Sequence, residues 1–244
     1  MVSEQVHYPM CGRYVHPDQA AIERAWHIGR QDGNPFTRRY NVLPTNQVPV
    51  LARDREAVAL SLQSARWGLI PFWWKDAKLP RLNINARAEE AAGKPMWRHP
   101  WRHARCLIPA EGWYEWPETE TTDPETGEIH GAGQPYFLRR GSGEPFCFGG
   151  LMSRWTQPGA QSSQLTCAIL TRSPQGIAAR VHDRMPVIIR REDFERWTDP
   201  DVADIEQVRE MAAASGGEGI EAWPVRKLVN SRKNEGPELI ARLG

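Results

Sequence analysis

The alternation of apolar and polar positions predicts strands over most of this chain. Short apolar or alternating runs fall at Val48–Leu51, Ala57–Leu62, Arg105–Ile108, Trp113–Trp116, Tyr136–Arg139, Phe146–Gly149, Leu165–Leu170, Val187–Ile189 and Ala222–Val225. The first two flank a polar turn, Arg53-Asp54-Arg55, and read as a hairpin. Helical periodicity is scarcer. Asp18 is placed to cap a short helix with Ile22, Ala25 and Trp26 on one face, ending near Gly29. A second helix is expected over Arg191–Trp197. A third begins after Pro200, with Val202, Ile205, Arg209 and Ala212 at helical spacing, and stops at Ser215-Gly216-Gly217. The balance predicts an α+β fold with a mainly antiparallel, curved sheet or barrel-like β core and a few peripheral helices.

Between these runs, Glu118–Gly133 is rich in Thr, Glu, Gly and Pro and reads as a loop hanging from a hairpin. Ser142–Glu144 and Thr156–Ser163 read as surface turns. Neither a linker nor a repeat divides the pattern. One domain over residues 11–234 is expected, with residues 1–10 as an N-terminal extension and 235–244 as a C-terminal tail.

Composition narrows the class. Among 244 residues the net charge is +1, so a nucleic-acid surface must come from local clustering of the 31 Lys and Arg. Cys11, Cys106, Cys147 and Cys167 lie far apart with no CxxC pair, which argues against a zinc ribbon or a disulfide scaffold and suits a reducing cytoplasm. No apolar run is long enough to span a bilayer, and the first ten residues lack the apolar stretch of a signal peptide. The 11 Trp beside 20 Pro and 20 Gly suggest a strand-rich fold with irregular loops, most Trp in the core and some on exposed platforms.

Candidate chemistry centres on Met10-Cys11-Gly12-Arg13-Tyr14. A cysteine at a true N-terminus is a 1,2-aminothiol. Its α-amine, with a reference pKa of about 7.7–8.0, is partly neutral at pH 7 and adds to an aldehyde to give a Schiff base. The thiolate then closes a thiazolidine on the same carbon. An internal cysteine has only an amide nitrogen and cannot close that ring. Because nine residues precede Met10, the expectation is that translation starts at Met10 or that residues 1–10 are removed.

Five further segments are dense in chemistry. They are Tyr40–Thr45, Arg66–Trp74, Asn83–Glu89, Arg105–Trp116 and His182–Val187. Within Gly112-Trp113-Tyr114-Glu115-Trp116, strand alternation puts Trp113 and Glu115 on one face and Tyr114 and Trp116 on the other. A carboxylate among aromatics is partly desolvated, which raises its pKa toward acid–base use. Glu111 competes locally, with an exposed salt bridge as its simpler role.

Taken in order, these segments resemble the SOS-response-associated peptidase (SRAP) family from Cys11 to about Asn230. The resemblance implies a covalent cross-link between Cys11 and the ring-opened sugar of an abasic site in single-stranded DNA. It assigns catalytic roles to Cys11, Asn85, Glu115 and His182. Glu115 moves protons to open the sugar, Asn85 holds the amine and a sugar oxygen, and His182 protonates the departing sugar oxygen. Asn83 is a nearby confounder for Asn85. Asp183 either orients His182 or pairs with Arg184, and Glu89 is placed to pair with Arg87.

Single-strand binders combine a basic groove with aromatic platforms. Arg13, Arg87 and Arg184 are expected to form a phosphate-binding rim. Of Trp73 and Trp74, at least one is expected to stack on or wedge against a base, and Trp67 to be core. Pro44 and Thr45 resemble the family's DNA-contacting segment. Lys75, Lys78 and Arg81 either extend the basic track or form a plain solvated face.

The resulting expectation is an abasic-site sensor and shield in the DNA damage and SOS response, with a linked autopeptidase that releases residues before Cys11 and an abasic-site lyase activity. Its partner is abasic single-stranded DNA. No cofactor, metal or membrane is expected, and the protein should be a cytoplasmic monomer, nucleoid-associated when bound to DNA. Two alternatives stand beside it: a non-covalent single-strand binding module, and a cysteine peptidase with an internal nucleophile.

Overall fold

The computed structural model describes residues 11–28, 36–53, 59–76, 78–122, 126–214 and 217–243. The chain opens with β1 (Arg13–His16) and α1 (Gln19–Trp26). Asp18 Oδ1 accepts the Ala21 N–H at 2.8 Å and so satisfies a first-turn donor. Ile22 buries the inner face, and the helix stops at His27, whose φ of 53° is left-handed. The expected end at Gly29 lies outside the described residues.

Then come β2 (Arg39–Val42), β3 (Gln47–Ala52), β4 (Ser61–Trp67), β5 (Asn85–Arg87), α2 (Ala88–Ala91) and α3 (Pro95–His103). They are followed by β6 (Arg105–Ala110), β7 (Gly112–Glu115), β8 (Thr121–Thr122), β9 (Ile129–His130), β10 (Tyr136–Arg140), β11 (Phe146–Thr156) and β12 (Ser163–Arg172). The last third contains α4 (Ala178–Val181), β13 (Met185–Pro186), β14 (Ile188–Ile189), α5 (Phe194–Thr198), α6 (Ile205–Ala213) and β15 (Ile220–Pro224). Among the described residues no helix is long and apolar enough to cross a membrane.

Five strands close a ring. β3 pairs with β4, β4 with β12, β12 with β11, β11 with β6, and β6 with β3. Every contact is antiparallel except β4–β12, so the α+β, barrel-like expectation holds. Period-2 alternation fills this barrel: Val48, Val50, Ala65, Trp67, Ile108, Phe148 and Ile169 share one apolar cluster. Their neighbours Leu51, Leu107, Cys147, Ala168 and Leu170 face outward into a second cluster with α1, α3, α5 and α6.

A second sheet, ordered β15-β10-β7-β1-β2, lies against the barrel. Its Tyr14, Trp113, Tyr136 and Leu138 join the barrel cluster, and the Tyr14 ring meets Trp67 edge-on at 5.3 Å. Its outer face, with Val15, Tyr114, Phe137 and Trp223, packs on Val229 and Leu239. Gly112 is required at the start of β7, because a Cβ there would run into the Phe137 ring.

Several boundaries differ from expectation. The second strand of the first hairpin is Ser61–Trp67, not Ala57–Leu62, since Ala65 and Trp67 supply the inward face; residues 54–58 lie outside the described residues. The loop at 118–133 carries the small β8–β9 ladder. α3 was hidden by Pro100, a helix breaker in isolation. It forms because Trp97, Pro100 and Trp101 bury one face, with Pro95 at the first turn. The second helix divides into a 3-10 turn, Arg191–Asp193, and α5. α6 is capped by Asp204 Oδ1, which accepts the Gln207 N–H at 2.9 Å; its expected stop at Ser215 and Gly216 lies outside the described residues.

Residues 235–243 are not a tail. Leu239 is fully buried, Trp223 Nε1 donates to the Ile240 carbonyl at 2.9 Å, and Leu243 N–H donates to the Pro224 carbonyl at 2.9 Å.

Candidate active site

β1 and β7 run side by side, with Arg13 opposite Tyr114, so the register continues to Gly12 beside Glu115, and the left-handed turn at Cys11 keeps that residue at the end of β7. Glu115 therefore faces Cys11. The Cys11 N–H lies 3.1 and 3.2 Å from the two Glu115 oxygens, and Cys11 Sγ donates to Oε1 at 2.8 Å. Both nucleophilic atoms of one residue thus share one carboxylate. Cys11 has a positive φ of 45°, an uncommon conformation for a side chain with a Cβ. Residues 1–10, Met10 included, lie outside the described residues.

Both groups are buried, at 2% exposure each. Burial pushes Glu115 up to about 8, and its bonds from Cys11 only partly oppose that. Burial and the neighbouring Glu115 charge together push the Cys11 thiol well above its ordinary value. At neutral pH the resting pair is a thiol beside a carboxyl group that is mostly protonated.

His182 completes the cluster from the loop between α4 and β13. Its Nε2 lies 4.0 Å from Glu115 Oε2. Its Nδ1 lies 2.8 Å from Asp183 Oδ1 and accepts the Arg184 N–H at 3.1 Å. The two Nδ1 contacts demand opposite proton placements. The neutral ring accepts from Arg184 and carries its proton on Nε2, toward Glu115; the charged ring donates to Asp183.

Asn85 lies on β5, parallel to β12 with Ile169 as its partner, and its Oδ1 is buried. β13 adds to the same strand at Thr171 and Arg172, and because Thr171 also pairs with Arg87 of β5, the Asn85 and His182 segments lie on opposite edges of the same end of β12. Asn83 Nδ2 instead serves a local turn, donating to the Arg81 carbonyl at 2.5 Å.

The arginines divide. Glu89 pairs with Arg184 rather than Arg87, through a two-pronged contact at 2.9 and 2.7 Å, and Arg184 Nη2 also donates to the Thr171 carbonyl at 2.8 Å. Burial would raise the Glu89 carboxyl, but the Arg184 fork overrides it and holds it below its ordinary value. The Arg184 charge also reaches Cys11 and eases its thiol down. Arg13 is buried, on the far face of β1. It donates to the Val229 carbonyl, to the Asn230 carbonyl at 2.9 Å and to Asn41 Oδ1 at 3.2 Å, with Trp116 under its guanidinium. Its place on an expected phosphate rim is thus replaced by a clamp on the C-terminal segment. Only Arg87 of the three is exposed, in a 3.3 Å surface pair with Glu90. Glu111 takes the salt bridge expected of it, with exposed Arg38.

Trp67 is core and donates to the Ile84 carbonyl at 3.0 Å. Of the 11 Trp, eight are buried, Trp26 and Trp74 are half-buried, and Trp73 is exposed. Trp73 sits on a loop with other uncovered apolar groups, Phe72, Leu79 and Leu82, among exposed Lys75, Lys78 and Arg81. Trp74 is tied down, donating to the Lys78 carbonyl at 3.0 Å and accepting at its own carbonyl from Trp155 at 2.8 Å. Pro44 is half-buried in a turn where Thr45 has φ 77°. Sequence reasoning missed the basic face of α3: Arg98, His99, Arg102 and His103 border a hollow of about 390 Å³ against Phe72 and Trp73. The clue was the pair of Trp-Arg-His triplets that α3 lays on one side. Among the described residues no three His, Cys, Asp or Glu side chains gather as metal ligands.

Residues 10–232 match the SOS response associated peptidase (SRAP) family, and the chain belongs to it. It is 37% identical over 201 residues to Bacillus subtilis abasic site processing protein YoqW, covering 82% of this chain and 84% of that one. It is 30% identical over 239 residues to Escherichia coli abasic site processing protein YedK, covering 95% and 99%. A crystal structure of a Bacteroides thetaiotaomicron protein superposes with a TM-score of 0.75 at 22% identity over 96% of this chain and all of that one, and so shares the fold.

Proposed function

We propose that this protein processes abasic sites by cross-linking them, with Cys11 as an N-terminal aminothiol. The observation that carries the reading is the single carboxylate of Glu115 held within 3.2 Å of both the nitrogen and the sulfur of Cys11. Ring opening of the abasic sugar needs a proton moved from the anomeric hydroxyl to the ring oxygen, and Glu115 at about 8 is poised to exchange one. A free Cys11 amine would lie within hydrogen-bond reach of the same carboxyl group, which can take a proton from it and leave it neutral for attack. The amine adds to the exposed aldehyde. His182 Nε2 protonates the departing oxygen, and one water leaves as the Schiff base forms. The thiol then adds across the C=N bond, its proton passing by way of Glu115 to nitrogen. The product is a thiazolidine, and no oxidant or cofactor is consumed.

The reading requires a species that begins at Cys11. The same three groups suit a linked autopeptidase role, with Glu115 and His182 as proton carriers at the Met10–Cys11 bond. The exposed Trp73 loop and Arg87 supply the single-strand surface, with one aromatic platform for a base and scattered cations for phosphates.

Abasic single-stranded DNA incubated with the protein and run on a denaturing gel tests the proposal. Wild type should give a heat-stable shifted band. Cys11→Ala should give none, and Cys11→Ser only a species trapped by borohydride. Equal cross-linking by Cys11→Ala would overturn the mechanism.

A further inference from the structure

Away from Cys11, Arg24, Trp26, Arg140, Glu144, Arg191 and Phe194 line a cavity of about 380 Å³. Register sets its place. Tyr136 pairs with Glu115 at one end of β10, while Arg140, four residues on, pairs with Ile220 at the other. At roughly 3.3 Å per residue the cavity lies about 13 Å along the strand from the active-site end.

Three separate elements bring a guanidinium to this hollow: the last turn of α1, the end of β10 and the 3-10 turn after β14. Among the described residues none of the three forms an ion pair. Neighbouring Arg190, by contrast, takes up Glu192 and Asp193 at 3.6 and 2.9 Å, which leaves Arg191 to the cavity. Glu144 is the single acid in the lining, so three positive charges and one negative leave +2. At the cavity floor, burial holds the Cys147 thiol well above its ordinary value, and the two charges opposing it are Arg140 and Arg191. The wall is aromatic, with the Trp26 and Phe194 rings 6.4 Å apart and tilted by 35°.

We propose that this cavity binds a nucleotide through a terminal phosphate, with the phosphomonoester on the three arginines and the base against Trp26. A phosphomonoester carries close to two negative charges at pH 7, which matches the lining. Planar guanidinium forks fit its oxygens, and a planar base fits the aromatic wall. A cavity of this volume holds one nucleotide rather than a length of strand. The same chemistry comes from two sources, a free nucleoside monophosphate or the 5′-phosphate end of a DNA strand.

Titration of the full-length protein with dAMP, read by calorimetry and Trp fluorescence, tests it. dAMP should saturate a single site, deoxyadenosine should not bind, and inorganic phosphate should bind more weakly than dAMP. Arg140→Gln and Arg191→Gln should each weaken dAMP about tenfold at unchanged Tm, as expected for losing one charge-assisted contact. If either variant unfolds, Arg24→Gln on the exposed side of α1 carries the same expectation. Cross-linking of abasic DNA should be unaltered in these variants, and Cys11→Ala should bind dAMP as wild type does. Competition by a 5′-phosphorylated oligonucleotide but not by its 5′-hydroxyl counterpart assigns the ligand to a strand end; competition by neither assigns it to the free nucleotide. Absence of saturable dAMP binding, equal affinity for inorganic phosphate, unchanged affinity in all three arginine variants, or an acidic peptide bound where dAMP is not, would overturn the proposal.

Discussion

The Cys11–Glu115 pair and the Phe72–Leu82 loop handle one proposed substrate in opposite ways. At the pair every reactive atom is buried and held by a partner, with Cys11 and Glu115 each 2% exposed. On the loop the large apolar groups stand open, with Phe72 at 49% and Trp73 at 43%. Chemistry needs fixed geometry and a low dielectric to move a pKa, whereas stacking on any base needs an uncovered π-face and tolerates sequence. Substitutions at the first should therefore change rate and pH dependence, and at the second affinity alone.

Glu115→Gln should give the largest effect that leaves Cys11 intact. Loss of a positioned acid–base group lowers cross-linking by about 100-fold or more at every pH. Stability should move the other way. In the full-length chain, where the Cys11 nitrogen is an amide, folding raises Glu115 from 4.5 to about 8. The neutral carboxyl is thus favoured in the fold, a contribution fully present below pH 4.5 and lost as pH rises through about 8. Glu115→Gln should accordingly raise Tm more at pH 9 than at pH 5, measured by thermal melts at both.

Arg13→Ala separates buried arginine from DNA-facing arginine. It strands the Val229 and Asn230 carbonyls and should cost about 2–3 kcal/mol in denaturant melts. The salt dependence of DNA binding should be unchanged. Trp73→Ala should weaken single-strand binding by about tenfold, with the cross-linking rate at saturating DNA unaltered. Arg87→Gln is the smallest change, reducing the slope of log affinity against log salt by about 0.7, the value for one phosphate contact on a single strand.

How much of this was legible depends on the range of the contact. Period-2 alternation alone put Trp113 and Glu115 on one face of β7, and the alternation in β3, β6, β11 and β12 built the barrel. β1 and β2 were missed because Arg13, His16, Arg39 and Asn41 interrupt any apolar alternation there; Arg13 and Asn41 are buried by partners far along the chain. The Glu89–Arg184 fork joins residues 95 apart, and Arg13 reaches Asn230 across 217, distances no local pattern encodes. The closure of residues 237–243 onto Trp223 was hidden for the same reason.

The central claim is that Cys11 reacts through amine and thiol together, and the intact mass of the adduct formed with an abasic oligonucleotide tests it most directly. The account predicts a protein beginning at Cys11 joined to the oligonucleotide with loss of one water, stable without borohydride. An adduct that retains residues 1–10, or one that appears only after reduction, would contradict it.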